Sequence, residues 1–256
     1  IVSAVHKIKG NKGSHTPGVD EKVIDDCLHM PYDELVEMVR RKLKDYHPDK
    51  VRRVWIPKPG KSEKRPLGIP TISDRIVQEC VRHVIEPIAE GQFFEHSYGF
   101  RPRRSADMAV ARIQRINCTA KCYWVVEGDI KGFFDNIDLN VMIESLWQIG
   151  IRDKRVLSII KQMLKAGIMN ECYTSELGTP QGGIISPLLA NIYLNRFDNF
   201  ITGDFERKRL RKPHTRRDGE LQAIRKYSNL KTCYYVRYAD DWIILTDSQE
   251  TAERLK

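Results

Sequence analysis

The sequence predicts a mixed fold in which a β-sheet is backed by helices, and three observations lead to this prediction. Two short apolar segments rich in strand-forming residues, 122–134 and 233–246, each contain aspartate. The second has the form of a tight hairpin, which indicates that the sheet is antiparallel at this edge. Longer segments with helical periodicity separate the strands, an alternation typical of a sheet packed on helices.

The helices follow from the spacing of apolar side chains. Residues 32–45 place Leu35, Val39 and Leu43 on one side of an amphipathic helix. The polar residues 1–30 contain a turn at TPGVD, and a basic insertion at 206–217 precedes the second apolar segment. The remaining predicted helices cover 74–90 (ending near Pro87), 105 to about 116, 139–148, 153–166, part of 176–201, and the terminal SQETAERLK.

A second hairpin is predicted over 51–70, where two short apolar runs flank a loop with four cations. The cations are Lys58, Lys61, Lys64 and Arg65. An ordinary solvated loop is one interpretation. The other is a clamp that closes over phosphates, because cationic side chains form strong charge-assisted hydrogen bonds to them.

Composition and charge limit the classes of partner. With 256 residues, 41% hydrophobic, the chain can form a sizeable core, and a formal net charge of +9 indicates a polyanionic partner such as nucleic acid. The basic residues cluster in RRKLK at 40–44, RPRR at 101–104 and ERKRLRKPHTRR at 206–217. No apolar run approaches the ~18 residues of a membrane span, and no secretory signal is visible, so no membrane partner is expected.

Six cysteines are scattered through the chain without a C-x-x-C pair. Cys118 and Cys122 have a tolerable zinc spacing, but no second pair of ligands follows at a usual distance. Reduced thiols in a cytosol are therefore expected.

Three aspartates are the strongest chemical signal. Asp129 ends one apolar strand, and Asp240 and Asp241 interrupt the other, in YVRYADDWIIL. Strands avoid Asp, so this is either a hairpin turn that happens to contain Asp-Asp or a turn that holds a metal ion. If the strands are neighbours, the three carboxylates converge and suit Mg²⁺, and two such ions serve the attack of a hydroxyl on a phosphate.

The sequence resembles the reverse transcriptase domain of group II intron-encoded proteins (intron maturases). The resemblance rests on six blocks in the family's order, WIPKPGKSEKRPLGIP, DRIVQE, SYGFRPRRSA, EGDIKGFFDNID, GTPQGGIISPLLANIYLN and RYADD, which lie between about residues 51 and 245. It implies an α+β right-hand polymerase fold with fingers, an antiparallel palm sheet packed on helices, and no thumb. Fingers would take 1–95 and 139–182, and palm 96–138 and 183–256, with any maturase and endonuclease domains outside this chain.

The resemblance also implies roles for single residues. Asp129, Asp240 and Asp241 would be the catalytic metal ligands, helped by the backbone carbonyl of Ile130. Phe134 matches the aromatic gate that excludes a 2′-hydroxyl, although a simple core role is an alternative. The remaining implied contacts are Lys58, Arg65 and Gln181 to the nucleotide, Tyr238 near the primer terminus, and Arg207, Lys208, Arg209, Arg211, Lys212, Arg216 and Arg217 to RNA.

The function implied is RNA-directed DNA synthesis with two Mg²⁺ ions, together with binding of the parent intron RNA to assist splicing and mobility. Partners would be the intron RNA, an RNA template with a DNA primer and dNTPs, in a bacterial cytoplasm; a homodimer is one compatible oligomeric state. The alternatives are an RNA-binding splicing cofactor with a vestigial polymerase, or a similar enzyme of a retron or CRISPR-associated system. Leu139 departs from the family pattern, in which His is common after FDNID.

Overall fold

The structure is a computed structural model that describes residues 1–256 except 58, 59, 61, 63, 131, 167–181 and 213, and not the side chains of residues 65 and 135. Two compact units divide the chain. The first unit comprises Ile1–Gln92 and Gly132–Ala190, and the second comprises Phe93–Lys131 and Asn191–Lys256. The assignment of fingers and palm to particular segments stays a prediction.

Helices and strands follow one another along both units. The helices are α1 (Val2–Lys9), α2 (Ile24–Leu28), α3 (Tyr32–Lys44), α4 (Ile72–Glu90), α5 (Ala106–Ala120), α6 (Leu139–Gln148), α7 (Lys154–Leu164), α8 (Ser186–Gly203), α9 (Arg217–Tyr227) and α10 (Gln249–Leu255). The strands are β1 (Arg52–Pro57), β2 (Lys64–Ile69), β3 (Trp124–Asp129), β4 (Tyr234–Tyr238) and β5 (Asp241–Thr246), and a 3₁₀ turn covers Phe133–Asn136.

The first unit is organised around helix α4, against which α1 and α3 pack. Thr71 caps this helix by accepting a hydrogen bond from the backbone N–H of Asp74, and Ile72, Ile76 and Val77 are buried along it. Strands β1 and β2 form an antiparallel hairpin beside it in sequence. This confirms the predicted hairpin over 51–70.

The second unit contains an antiparallel sheet in the order β3-β5-β4 among the described residues. Helix α5 packs on β4, and α10 packs on β3 and β5. Tyr235 and Ile244 lie in the core with Phe205 and Leu221, because alternate side chains of each strand face the helices. The predicted sheet, antiparallel at the edge with the aspartates, is therefore confirmed.

Each predicted helix has a counterpart in the described part of the chain. Helix α4 begins two residues before the predicted segment 74–90, continues through Pro87 and ends at Glu90 as predicted. Pro87 has no N–H to donate to the carbonyl four residues earlier, so the helix continues there without one of its hydrogen bonds. Helices α1 and α2 lie in the segment 1–30 that the sequence described only as polar, and α9 follows the basic insertion 206–217 in a segment for which no helix was predicted.

No helix in the described part of the chain is long and apolar enough to cross a membrane.

Candidate functional site

The pairing of β3 with β5 brings two of the predicted carboxylates face to face. Asp129 is the register partner of Asp241, at the ends of their strands, and Asp240 immediately precedes Asp241 in the turn from β4. Both partners are exposed to solvent, and Asp240 is half-buried. The condition on which the sequence argument depended, that the two strands are neighbours, is thus confirmed.

Negative charges gather at this end of the sheet. The pKa of Asp241 is raised above its ordinary value, first by partial desolvation and then by the charges of Asp240, Asp129 and Glu127. Carboxylates that repel one another in this way favour a cation among them. The arrangement therefore has the electrostatics of a cation site.

The carboxylates at this end of the sheet form a donor set of the kind that Mg²⁺ prefers. In the described part of the chain, no three His, Cys, Asp or Glu side chains are grouped closely enough to make a metal site by themselves. Mg²⁺ is usually bound through one or two carboxylates, with substrate phosphates and waters as the other ligands. The facing pair Asp129 and Asp241 fits this requirement.

A buried arginine supports the turn that carries Asp240 and Asp241. Arg237 is fully buried in β4, and its guanidinium donates two hydrogen bonds to the Asp198 carboxylate, both of 2.7 Å. Its third nitrogen, Nη1, donates to the carbonyl of Ala239 at 2.7 Å and to the side chain of Asn191 at 3.0 Å. The turn is therefore tied to helix α8 through one side chain.

Segment 96–99 lies beneath the same turn. The backbone of Arg237 accepts a hydrogen bond from Tyr98 N–H and donates one to the His96 carbonyl. Gly99 lies so close to the turn that an added Cβ would stand 2.2 Å from the backbone nitrogen of Ala239. Ala239 itself has a φ of 58°, in the left-handed region, so the turn is a strained conformation held by its surroundings.

Sequence reasoning missed this support. The signal was present in YYVRYADD, since an arginine between apolar strand residues requires a buried acidic partner. The partner, Asp198, lies 39 residues away in sequence and has no local feature that identifies it.

The other predicted residues are placed as follows. Tyr238 is 40% exposed and pairs with Asp241 across β4 and β5, and Ile130 follows Asp129 at the end of β3. Phe134 belongs to the first unit, is half-buried and contacts the ring of Phe133. Lys58, Gln181 and the side chain of Arg65 lie outside the described residues.

The residues that follow Gln181 are anchored within the first unit. Gly182 has a φ of +119°, and an added Cβ would stand 2.4 Å from the carbonyl oxygen of Gly68 in β2. The backbone N–H of Ile184 donates to the side-chain oxygen of Gln78 on α4 at 2.8 Å. Gln78, which the sequence did not single out, therefore positions the segment adjoining a predicted nucleotide contact.

The basic residues separate into structural and exposed ones. Arg101, in the RPRR run, is buried and donates to the carbonyls of Phe94 and Ser97. Of the predicted RNA contacts, Arg209 and Arg217 both bind the buried carboxylate of Glu220.

Arg207 binds Asn199 and lies over the ring of Phe94. Lys208, Arg211 and Lys212 are exposed. The assignment of this set to RNA stays a prediction, and the geometry favours its exposed members.

Comparisons with known proteins agree with these features. The reverse transcriptase (RNA-dependent DNA polymerase) family matches residues 56–256. The group II intron-encoded protein LtrA of Lactococcus lactis subsp. cremoris is 37% identical over 99% of this chain and 48% of its own length. Protein YkfC of Escherichia coli K12 is 36% identical over 96% of this chain and 67% of its own length. The chain thus spans about half the length of LtrA.

A solved structure of a partial Cas6-RT-Cas1–Cas2 complex shares the fold. Its TM-score is 0.51 at 24% identity, covering 96% of this chain and 37% of the other. A likeness of this kind concerns the fold alone, whereas the family match covers most of the sequence. The chain therefore belongs to the reverse transcriptase family and is a relative of the group II intron-encoded proteins.

Proposed function

We propose that the chain is the polymerase part of a group II intron-encoded reverse transcriptase, which extends a DNA primer on an RNA template from dNTPs. The observation that carries this proposal is the register of β3 and β5, which sets Asp129 opposite Asp241 beside Asp240 at an exposed end of the sheet. Family membership supports the reaction class.

The reaction proposed is attack of the primer 3′-hydroxyl on the α-phosphate of a dNTP, with pyrophosphate as the leaving group. Asp129, Asp240 and Asp241 would hold two Mg²⁺ ions, with the carbonyl of Ile130. Bound there, the metal supplies a lowered pKa for the attacking hydroxyl and charge stabilisation for the leaving pyrophosphate. Arg237 keeps the turn that carries Asp240 and Asp241, here called the aspartate turn, in position, as its hydrogen bond to Ala239 indicates.

Four further residues would contact the nucleotide. Lys58 and Arg65 of the β1–β2 hairpin would bind the triphosphate, and Gln181 would support the nucleotide and the template base. Phe134 would exclude the 2′-hydroxyl of ribonucleotides, and Tyr238 of the second unit would lie by the primer terminus. The formal net charge of +9 fits a substrate that consists of nucleic acid and nucleotide.

The second proposed role is binding of the parent intron RNA to assist its splicing and mobility, in a bacterial cytoplasm. The name of the relative LtrA, a group II intron-encoded protein, supports this role. The exposed cations Lys208, Arg211 and Lys212 offer phosphate contacts.

Primer extension by carboxamide variants tests the catalytic proposal. Asp240→Asn and Asp129→Asn should each lower extension on an RNA template in Mg²⁺ by about 10²-fold or more, because each removes charge stabilisation from the transition state. RNA affinity should stay nearly unchanged. Asp107→Asn makes the same chemical change at an exposed position of α5 and serves as the control. Extension by either active-site variant at the rate of the control would disprove the assignment.

A further inference from the structure

A groove between helices α5 and α9 of the second unit combines arginines from both helices. Its volume is about 450 Å³, and its lining includes Arg112, Arg115, Arg216, Arg225, Thr119 and Tyr234. Liquid water occupies ~30 Å³ per molecule, so the groove has room for about fifteen waters, or for a group of nucleotide size.

The arginines are only partly neutralised by nearby carboxylates. Asp218, on α9, is shared by Arg115 at 3.3 Å and Arg216 at 3.9 Å. These three side chains are between 55% and 81% exposed, and ion pairs at such positions are weak because water screens them. An incoming anion can therefore replace Asp218 at little cost.

The inner wall of the groove contains an unsatisfied donor. Arg112 binds Glu206 at 2.7 Å through Nη2, yet its buried Nε has no hydrogen-bond partner among the described residues. Arg225, on the opposite wall, binds Asp247 at 3.0 Å. The four arginines thus face three carboxylates, and a positive charge remains.

We infer that this groove binds phosphate groups of an RNA strand, as a site separate from the aspartate turn. Guanidinium groups present planar pairs of donors that match phosphate oxygens, and desolvated ones bind them strongly. RNA is favoured over an acidic protein segment because Arg216 lies four residues after Lys212 in the sequence. With Lys208 and Arg211, Lys212 forms an exposed basic segment that extends the positive charge along the chain. The inference rests on the proposed RNA partner.

The salt dependence of RNA binding tests whether this groove contacts RNA phosphates. The full chain is titrated with a single-stranded RNA of mixed sequence at several KCl concentrations, and the slope of log K against log salt is measured. Arg115→Gln should make the slope less steep by about 0.7, and Arg115→Gln/Arg216→Gln by about 1.4, since each removes one phosphate contact. Arg155→Gln, at a 93% exposed position of the first unit, removes the same charge and should leave the slope unchanged.

A variant that removes a negative charge from the groove should have the opposite effect on RNA affinity. Asp218→Asn should raise RNA affinity by about fivefold, the factor that one unit charge about 4 Å away contributes in water. Primer extension at saturating RNA should be the same in Asp218→Asn and Arg155→Gln, because neither residue belongs to the turn that carries Asp240 and Asp241 or to the proposed RNA contacts.

The outcomes separate the two proposals. Equal slopes of log K against log salt for Arg115→Gln, the double variant and Arg155→Gln would overturn the groove as an RNA site. Its arginines would then serve only in ion pairs or in binding an acidic protein. Loss of extension in Asp240→Asn would at the same time leave the proposed polymerase function intact. A parent chain that binds no RNA at any salt would overturn both.

Discussion

Replacing Arg237 by Met is expected to destabilise the chain more than almost any other single substitution. The side chains of Arg237 and Asp198 are both 0% exposed, and two hydrogen bonds of 2.7 Å join them. Met fills a similar volume but leaves the buried carboxylate of Asp198 without a cationic partner. The carbonyl of Ala239 and the side chain of Asn191 lose a donor as well.

The magnitude follows from the burial of the pair. Removing one partner of a buried ion pair costs about 3–5 kcal/mol, because an uncompensated charge remains inside. For a chain of this size, 1 kcal/mol lowers the melting temperature by about 2–4 °C, so a drop of about 6–20 °C is expected. Arg237→Met/Asp198→Leu removes both charges and should recover most of the loss.

Thermal unfolding followed by circular dichroism measures this effect. Arg155→Met is the matched control, since that arginine is 93% exposed and should change the free energy of unfolding by no more than about 0.5 kcal/mol. Primer extension, measured well below the melting temperature of each variant, should still fall in Arg237→Met because the turn with Asp240 is no longer tied to α8. A single variant as stable as the control, or a double variant no more stable than the single, would refute this reasoning.

The remaining predictions concern sugar selection, the nucleotide segment and the thiols. Phe134→Ala should incorporate ribonucleotides far better than the parent in primer extension, because the ring that excludes the 2′-hydroxyl is gone. Gln78→Leu should raise the KM for dNTPs by about tenfold with a smaller change in kcat, since the N–H of Ile184 loses its acceptor. Burial raises the pKa of Cys122 to about 11 and of Cys233 to about 12, so at pH 8 alkylation should be slow at both and fast at the exposed Cys118.

A specific experimental outcome would disprove each of these three predictions. Unchanged discrimination between dNTPs and NTPs would make Phe134 a core residue only. Gln148→Leu, on the exposed face of α6, is the control for Gln78→Leu, and equal KM values for the two would remove the positioning role. Rapid alkylation of Cys122 or Cys233 in the folded chain would show that these thiols are accessible.

The elements predicted from local pattern were mostly correct. Helix α3 and both hairpins have strong periodicity and clear turn residues, so each is specified by its own segment. Helix α1 was missed because its surroundings are polar, and α9 because its basic flank dominated the interpretation. The stability of helix α9 depends on tertiary contacts, since its residues Leu221 and Ile224 are buried in the core of the second unit.

The sequence by itself determined the family, through the identity and order of the motifs around Asp129, Asp240 and Asp241, and its positive net charge indicated a polyanionic partner. These are properties of single residues and short segments. Only the tertiary structure decided that Asp129 faces Asp241 and that Arg237 holds their turn through Asp198. It likewise decided that Glu220 binds two of the predicted RNA-binding arginines, Arg209 and Arg217. The physical reason is that an ion pair, a strand register or a groove is a relation between residues far apart in the chain, and no local spacing specifies which distant charge will lie beside a given one.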